Sequence, residues 1–198
     1  MKNLFIIQSQ STYLTIVSSF FFFLKAEILI FCNKNILLVT YLYPNANIWL
    51  TGHSLGGSLA SMMGLTFGVP AVTFEALGDR LPAQRLHLPQ PPPELSGVYH
   101  VYHTADPIPQ GTCNGLLSPC NAAGFALESR CHTGLSIVFD TIKQFNWSVD
   151  LRTHRILTVI NEILSFDWED DDGKVYLPTP THEEDCIDCF KWEFGNEE

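Results

Sequence analysis

An apolar run, a glycine-flanked serine and a stretch of small residues follow one another between Ile48 and Ser61, and few architectures accept that order. The segment reads Ile-Trp-Leu-Thr-Gly-His-Ser-Leu-Gly-Gly-Ser-Leu-Ala-Ser. Ile48, Trp49 and Leu50 suit a buried strand, and Ser58, Ala60 and Ser61 suit a helix that presses close to it. Gly52-His53-Ser54-Leu55-Gly56 between them matches the G-x-S-x-G nucleophile elbow, in the strand–turn–helix context that the motif requires. A sharp turn lifts the serine hydroxyl above the sheet, and side chains two positions to either side would collide with it. Gly52 and Gly56 remove those side chains.

The rest of the chain alternates between strand and helix signals. A helix is expected over 57–65, a buried strand over 69–74, and a loop through Gly78, Asp79 and the proline run 89–93. A second strand is expected over 98–102, closed by Asp106-Pro107-Ile108-Pro109. Ile156, Val159, Ile160, Ile163 and Leu164 recur at a helical spacing that puts all five on one core-facing side. This alternation predicts an α/β fold with a parallel sheet and flanking helices. At 198 residues and 46% hydrophobic composition, the chain has material for one domain with a substantial core.

Charge and cysteine content divide the chain further. Residues 161–198 hold 13 acidic and 2 basic side chains, against 8 acidic and 9 basic in residues 1–160. No Lys/Arg cluster is present, which argues against a nucleic acid partner. Residues 1–42 carry broken apolar runs, the longest being the 12 residues from Tyr13 to Leu24, short of the ~20 needed to span a bilayer. Three regions result: 1–42, an atypical apolar segment that is an anchor or a non-native start; 43–165, the catalytic region; and 166–198, an acidic tail with cysteines. Six cysteines occur in all. Cys186-Ile-Asp-Cys189 lacks the second pair that a zinc site needs, so no metal is expected, and disulfides in an oxidising compartment account better for the set. Asn146-Trp147-Ser148 is an N-glycosylation acceptor, which fits that compartment.

A serine hydroxyl reacts only with a base in hydrogen-bond reach and an acid that orients the base. His154 meets the first need: it ends the polar loop Asp150-Leu151-Arg152-Thr153-His154, directly ahead of the amphipathic helix. His53 is fixed beside the serine and points elsewhere. His100 and His103 fall in or beside a strand, His132 between cysteines, and His182 among acidic residues. For the acid, Asp106 follows the strand after next from the elbow and is held in a rigid Asp-Pro-Ile-Pro turn. Asp79 follows the very next strand and reads as a loop residue. The backbone N–H of Leu55 is one oxyanion donor, as in other elbows of this type. The chemistry is acyl transfer, with no cofactor and no metal.

With these residues in place, the chain resembles the fungal class 3 lipase family, and within it the autophagy-related vacuolar phospholipases that lyse autophagic bodies. The likeness rests on 43–57, on Phe67-Gly68-Val69-Pro70-Ala71-Val72-Thr73-Phe74-Glu75-Ala76, and on Gly78-Asp79-Arg80 with 85–89. It continues through His103-Thr104-Ala105-Asp106-Pro107-Ile108-Pro109, 111–115, Arg152-Thr153-His154-Arg155-Ile156 and Cys186-Ile-Asp-Cys189 with Trp192 and Phe194. The resemblance implies an α/β-hydrolase-like fold and a Ser54, Asp106, His154 triad. It also implies phospholipid or triacylglycerol as substrate and a membrane surface as partner. By the same resemblance, the protein is a glycoprotein that enters the secretory route on an N-terminal signal anchor and reaches the vacuole lumen through multivesicular bodies. Family members have a long segment ahead of the elbow, so early strands and a second oxyanion donor are expected to be missing here. A secreted feruloyl-type or small-ester esterase, and an inactive membrane-associated fragment, stay open as alternatives.

Overall fold

The computed structural model describes residues 34–111, 129–169 and 172–188. Its centre is a sheet of four strands in the order β1-β2-β3-β4: β1 Leu50–His53, β2 Ala71–Phe74, β3 Val98–His103 and β4 Leu135–Phe139. Every pairing is parallel, with Leu50 opposite Ala71, Ala71 opposite Val98 and Tyr99 opposite Leu135. Parallel neighbours need crossovers. The first is α2, Leu55–Phe67, preceded in the chain by a helix α1 over 34–42. A short helix α3, Arg80–Arg85, and a 3-10 turn, Pro93–Leu95, occupy the stretch expected to be loop. The chain is thus an α/β fold with the strand–turn–helix arrangement of an α/β-hydrolase around Ser54.

Alternation along each strand sends side chains to opposite faces of the sheet. Leu50, Ala71 and Val98 pack with Met63 and Leu65 of α2 and with Ile36 of α1. Val101 and Phe139 pack with Ile163 and Trp168, while Val72, Phe74 and Ile137 lie against that second cluster. Helix α2 can sit this close because its sheet-facing positions are small. A Cβ at Gly57 would stand 2.9 Å from Ala76 Cβ, and one at Gly64 would stand 3.0 Å from Ala71 Cβ.

Strands β2 and β3 fall within two residues of their expected positions, whereas β1 overlaps the expected run 48–50 only at Leu50. Strand β4 has no counterpart in the sequence reading, although Ile137, Val138 and Phe139 are strand-forming residues. The apolar stripe after His154 is narrower than its spacing suggests. Val159 and Ile163 are buried, but Ile160 and Leu164 are 44% and 42% exposed. The helix starts as α-helix at Ile156–Thr158 and continues as a π-helix over Val159–Leu164, which presents a two-residue ridge to Phe139 and Trp168.

The acidic C-terminal segment is tied to the sheet. Thr181 exchanges backbone hydrogen bonds with Ser136 of β4, at 2.8 and 2.9 Å. Cys131 and Cys186 form a disulfide, in line with the expectation of paired cysteines. The other four, Cys32, Cys113, Cys120 and Cys189, lie outside the described residues. Asp188 Oδ1 accepts from Ser129 Oγ at 2.9 Å and from the Arg130 and Cys131 N–H groups at 3.0 Å. Arg80 donates to the carbonyls of Glu183 and Cys186. Asp79, expected as a loop residue or turn former, stands in the loop just ahead of α3. It is fully buried, accepting from the Thr133 N–H and hydroxyl at 2.8 Å and from the Ser61 hydroxyl.

Candidate active site

The residues that matter most lie beyond the C-terminal ends of the strands, where open α/β sheets hold their sites. Ser54 leaves β1 with φ 58° and ψ −130°, backbone values that are sparsely populated for any residue with a side chain. The turn is held by Ser54 N–H donating to Phe74 O at 3.0 Å and by Gly57 N–H donating to Ser54 O at 2.9 Å. A Cβ on Gly52 would fall 2.2 Å from the Gly56 carbonyl oxygen. Gly52 therefore relieves a crowding against the backbone of residue 56, as the motif requires. Leu55 opens α2, so its N–H belongs to the first turn, whose amides have no partner inside the helix. That places a backbone donor directly beside the Ser54 hydroxyl.

Asp106 follows β3 and is 0% exposed. Its Oδ1 accepts from Ile108 N–H at 2.9 Å, an Asx turn that fixes the carboxylate against the Pro107–Pro109 bend. His154 ends the 3-10 turn Leu151–His154, which is capped by Asp150 accepting from Arg152 N–H at 2.8 Å. This turn is fastened to the loop that carries Asp106. Asp150 N–H donates to Ala105 O at 3.1 Å, and the Thr153 hydroxyl donates to the same carbonyl at 3.2 Å.

The three side chains meet in one line. His154 Nδ1 lies 2.6 Å from Asp106 Oδ2, and His154 Nε2 lies 2.9 Å from Ser54 Oγ. Because an ionised carboxylate can only accept, the hydrogen-bond network assigns the proton to Nδ1 and leaves the Nε2 lone pair facing the serine hydroxyl. The imidazole of His154 is 19% exposed.

Three neighbours were not singled out from the sequence. His53 does not merely point away: its Nε2 donates to His154 O at 2.7 Å, with the two rings 4.6 Å apart. Burial foremost lowers the pKa of His53. His103 Nδ1 meets Thr141 Oγ1 at 3.0 Å, and its Nε2 faces Thr153 O at 3.4 Å. Glu75, the first residue after β2, is 1% exposed with φ 45°. A topological signal for Glu75 was available. In a parallel sheet ordered β1-β2-β3, the residue leaving β2 must lie between those leaving β1 and β3.

A second polar cluster lies under the C-terminal segment, away from Ser54. Glu183 accepts from Tyr102 Oη and His132 Nδ1 at 2.9 Å, from Ser136 Oγ at 2.6 Å and from His132 N–H at 3.0 Å. His100, buried beside it, donates to or accepts from Thr73 Oγ1 at 2.9 Å, and burial lowers its pKa to about 4. His132 and His100 are thus bound up in packing. Asn146 of the sequon is exposed at the end of helix α4, Thr141–Phe145. An open cleft of about 440 Å³ lies beside it, lined by Trp147, Arg152 and Glu162 and not by Ser54.

Comparison with known proteins accords with this geometry. The class 3 lipase family matches residues 15–69, a span that contains the elbow. Sequences bearing the lipase name ATG15 match 79% of the chain. The one from Cryptococcus neoformans var. neoformans serotype D (strain B-3501A) is 46% identical over 214 residues, and the one from Pichia angusta is 48% identical over 159. Family model and relatives alike make the chain similar to class 3 lipases. It spans 41% of the length of the Cryptococcus relative and 28% of that of the Pichia relative. Among solved structures, lipase II from Rhizopus niveus aligns with 61% of this chain and 44% of its own, with a TM-score of 0.37 and 15% identity.

Proposed function

We propose that this chain hydrolyses ester bonds of phospholipids or triacylglycerols through an acyl-enzyme on Ser54. The observation that carries the reading is the continuous hydrogen-bond line from Ser54 Oγ through His154 to Asp106. His154 Nε2 takes the hydroxyl proton as Ser54 Oγ attacks the ester carbonyl carbon. Asp106 holds the imidazole in the required tautomer and stabilises its cationic form. Negative charge that develops on the carbonyl oxygen meets the Leu55 N–H and the positive end of α2. Collapse of the tetrahedral intermediate expels the alcohol, which takes the proton back from His154. A water molecule, deprotonated by the same imidazole, then releases the fatty acid.

The biological setting follows the relatives' name and the resemblance in sequence. The substrate is the lipid of autophagic bodies and multivesicular-body vesicles, met as a membrane surface inside the vacuole, and the route there is the secretory pathway. The Cys131–Cys186 disulfide and the exposed sequon at Asn146 support passage through an oxidising, glycosylating compartment. Among the described residues, no helix is long and apolar enough to cross a membrane. The test is fatty-acid release from phosphatidylserine-containing vesicles and from triolein emulsion. The wild-type chain should release fatty acid from at least one and Ser54→Ala from neither; equal release by Ser54→Ala would overturn the reading.

A further inference from the structure

We propose that Glu75 is a protonated carboxylic acid that donates to Asp106 and so positions and weakens the carboxylate that orients His154. This deepens the reading of Ser54, His154 and Asp106 as a reacting set and rests on it. The carboxyl of Glu75, that of Asp106 and the imidazole of His103 converge, with polar atoms all within 4.8 Å of one another, and all three residues are buried. Two carboxylates at that range in a dry site cannot both ionise, so one of them keeps a proton.

The donors around each carboxyl decide which. Asp106 accepts from Ile108 N–H at 2.9 Å and from His154 Nδ1–H at 2.6 Å, both of which favour its charged form. Glu75 has only His103 N–H at 3.5 Å and His103 Nε2 at 3.9 Å. Nor is His103 a cation there. Burial foremost lowers its pKa, and Thr141 and Thr153 already engage its two nitrogens. The other titratable groups near Glu75 do not offer charge to it either. Tyr102 gives its hydroxyl to Glu183, His154 lies beyond Asp106, and His53 is turned to the His154 carbonyl. Burial first, then the negative charge of Asp106, pushes the Glu75 carboxyl well above the usual carboxylate range. Its backbone, at φ 45°, is a conformation unfavourable for a residue with a side chain. Packing alone gives no reason to keep an acid in that position.

A proton on Glu75 has a consequence for the base. An O–H donated to Asp106 draws charge from the carboxylate, which then stabilises the His154 imidazolium less. His154 therefore stays neutral, and able to accept the Ser54 proton, at a lower pH than a bare aspartate would allow. In a neutral side chain at position 75, an amide can supply the same hydrogen bond, whereas a methyl cannot.

Infrared spectroscopy of the whole chain at pH 7 tests the proton directly and needs no activity. The wild type should show the carbonyl stretch of a buried, protonated carboxylic acid, and Glu75→Gln should lack it. The pH profile of kcat/KM for a soluble ester tests the consequence. Glu75→Ala should move the acid limb up by about half to one pH unit, the worth of one such hydrogen bond, and Glu75→Gln should keep it near the wild-type position. Absence of the band in the wild type, or an acid limb in Glu75→Ala that coincides with the wild type, overturns the proposal. Should Glu75→Ala fail to fold, the band and its loss in Glu75→Gln decide. A chain with the band but with no ester hydrolysis would instead remove the lipase reading and leave the carboxyl pair intact.

Discussion

His53 Nε2 donates to the backbone carbonyl of His154 across 2.7 Å, so the residue preceding the nucleophile fixes the backbone of the base that faces it. One hydrogen bond from the elbow thus sets how far the imidazole stands from Ser54. His53→Ala removes it and leaves the His154 carbonyl without that donor, at a cost of about 1–2 kcal/mol. We expect kcat to fall roughly tenfold, with the melting temperature lowered by a few degrees and partial recovery of both in His53→Asn. Steady-state hydrolysis of a short-chain ester and a thermal melt check both halves.

Gly52 has no room for a side chain, since a Cβ would fall 2.2 Å from a backbone oxygen. Neither partner there is a flexible side-chain tip, so the elbow must open to admit a methyl. Gly52→Ala should lose at least about 1–3 kcal/mol of stability and nearly all reactivity of Ser54. Chemical denaturation with parallel rate measurements would reveal it, and wild-type rates in this variant would refute the role assigned to the turn.

The Cys131–Cys186 bridge joins positions 55 residues apart, for which chain-entropy bookkeeping gives about 4 kcal/mol. The segment it fastens is also held by Glu183, Asp188 and Arg80, so the fold should survive reduction in weakened form. Changing both cysteines to serine should lower stability by about 2–4 kcal/mol, seen as a shift in denaturation midpoint, while Ser54 remains reactive.

Glu183 and His132 make stability depend on pH in two directions. Burial would raise the Glu183 carboxyl, but the hydrogen bond and charge of His132, with Ser136, bring it well below the usual range. Its contribution is complete above the unfolded value of about 4.3 and is lost as pH falls through the lowered one. Burial would lower His132, but its bond to Glu183 outweighs that and raises it. That contribution is complete below the unfolded value of about 6.5 and is lost as pH rises through the raised one. Both are present from about pH 4.5 to 6.5. The pair therefore contributes most in that window, and the gap in melting temperature between the wild type and Glu183→Gln should be widest there.

Motifs with local causes were legible in the sequence. The elbow follows from glycines two residues either side of Ser54, and Asp106 and His154 follow from their places after a strand and before a helix. Contacts between distant segments were not. Residue 183 reaches His132 and Tyr102 only once β4 is paired and Thr181 has joined its edge, so part of the acidic run is internal. Strand β4 itself lies behind a cysteine-bearing stretch with no periodicity to announce it. Glu75 escaped notice for another reason: its chemistry lies in its nearness to Asp106, which depends on β2 pairing with β3.

The central claim is that Ser54 is activated by His154. Labelling with a fluorophosphonate, followed by peptide mass mapping, measures this most directly. Modification is expected on the peptide carrying Ser54 in the wild type, none in Ser54→Ala, and a rate at least about 10³-fold slower in His154→Ala. Label on another residue, or an undiminished rate in His154→Ala, would contradict it.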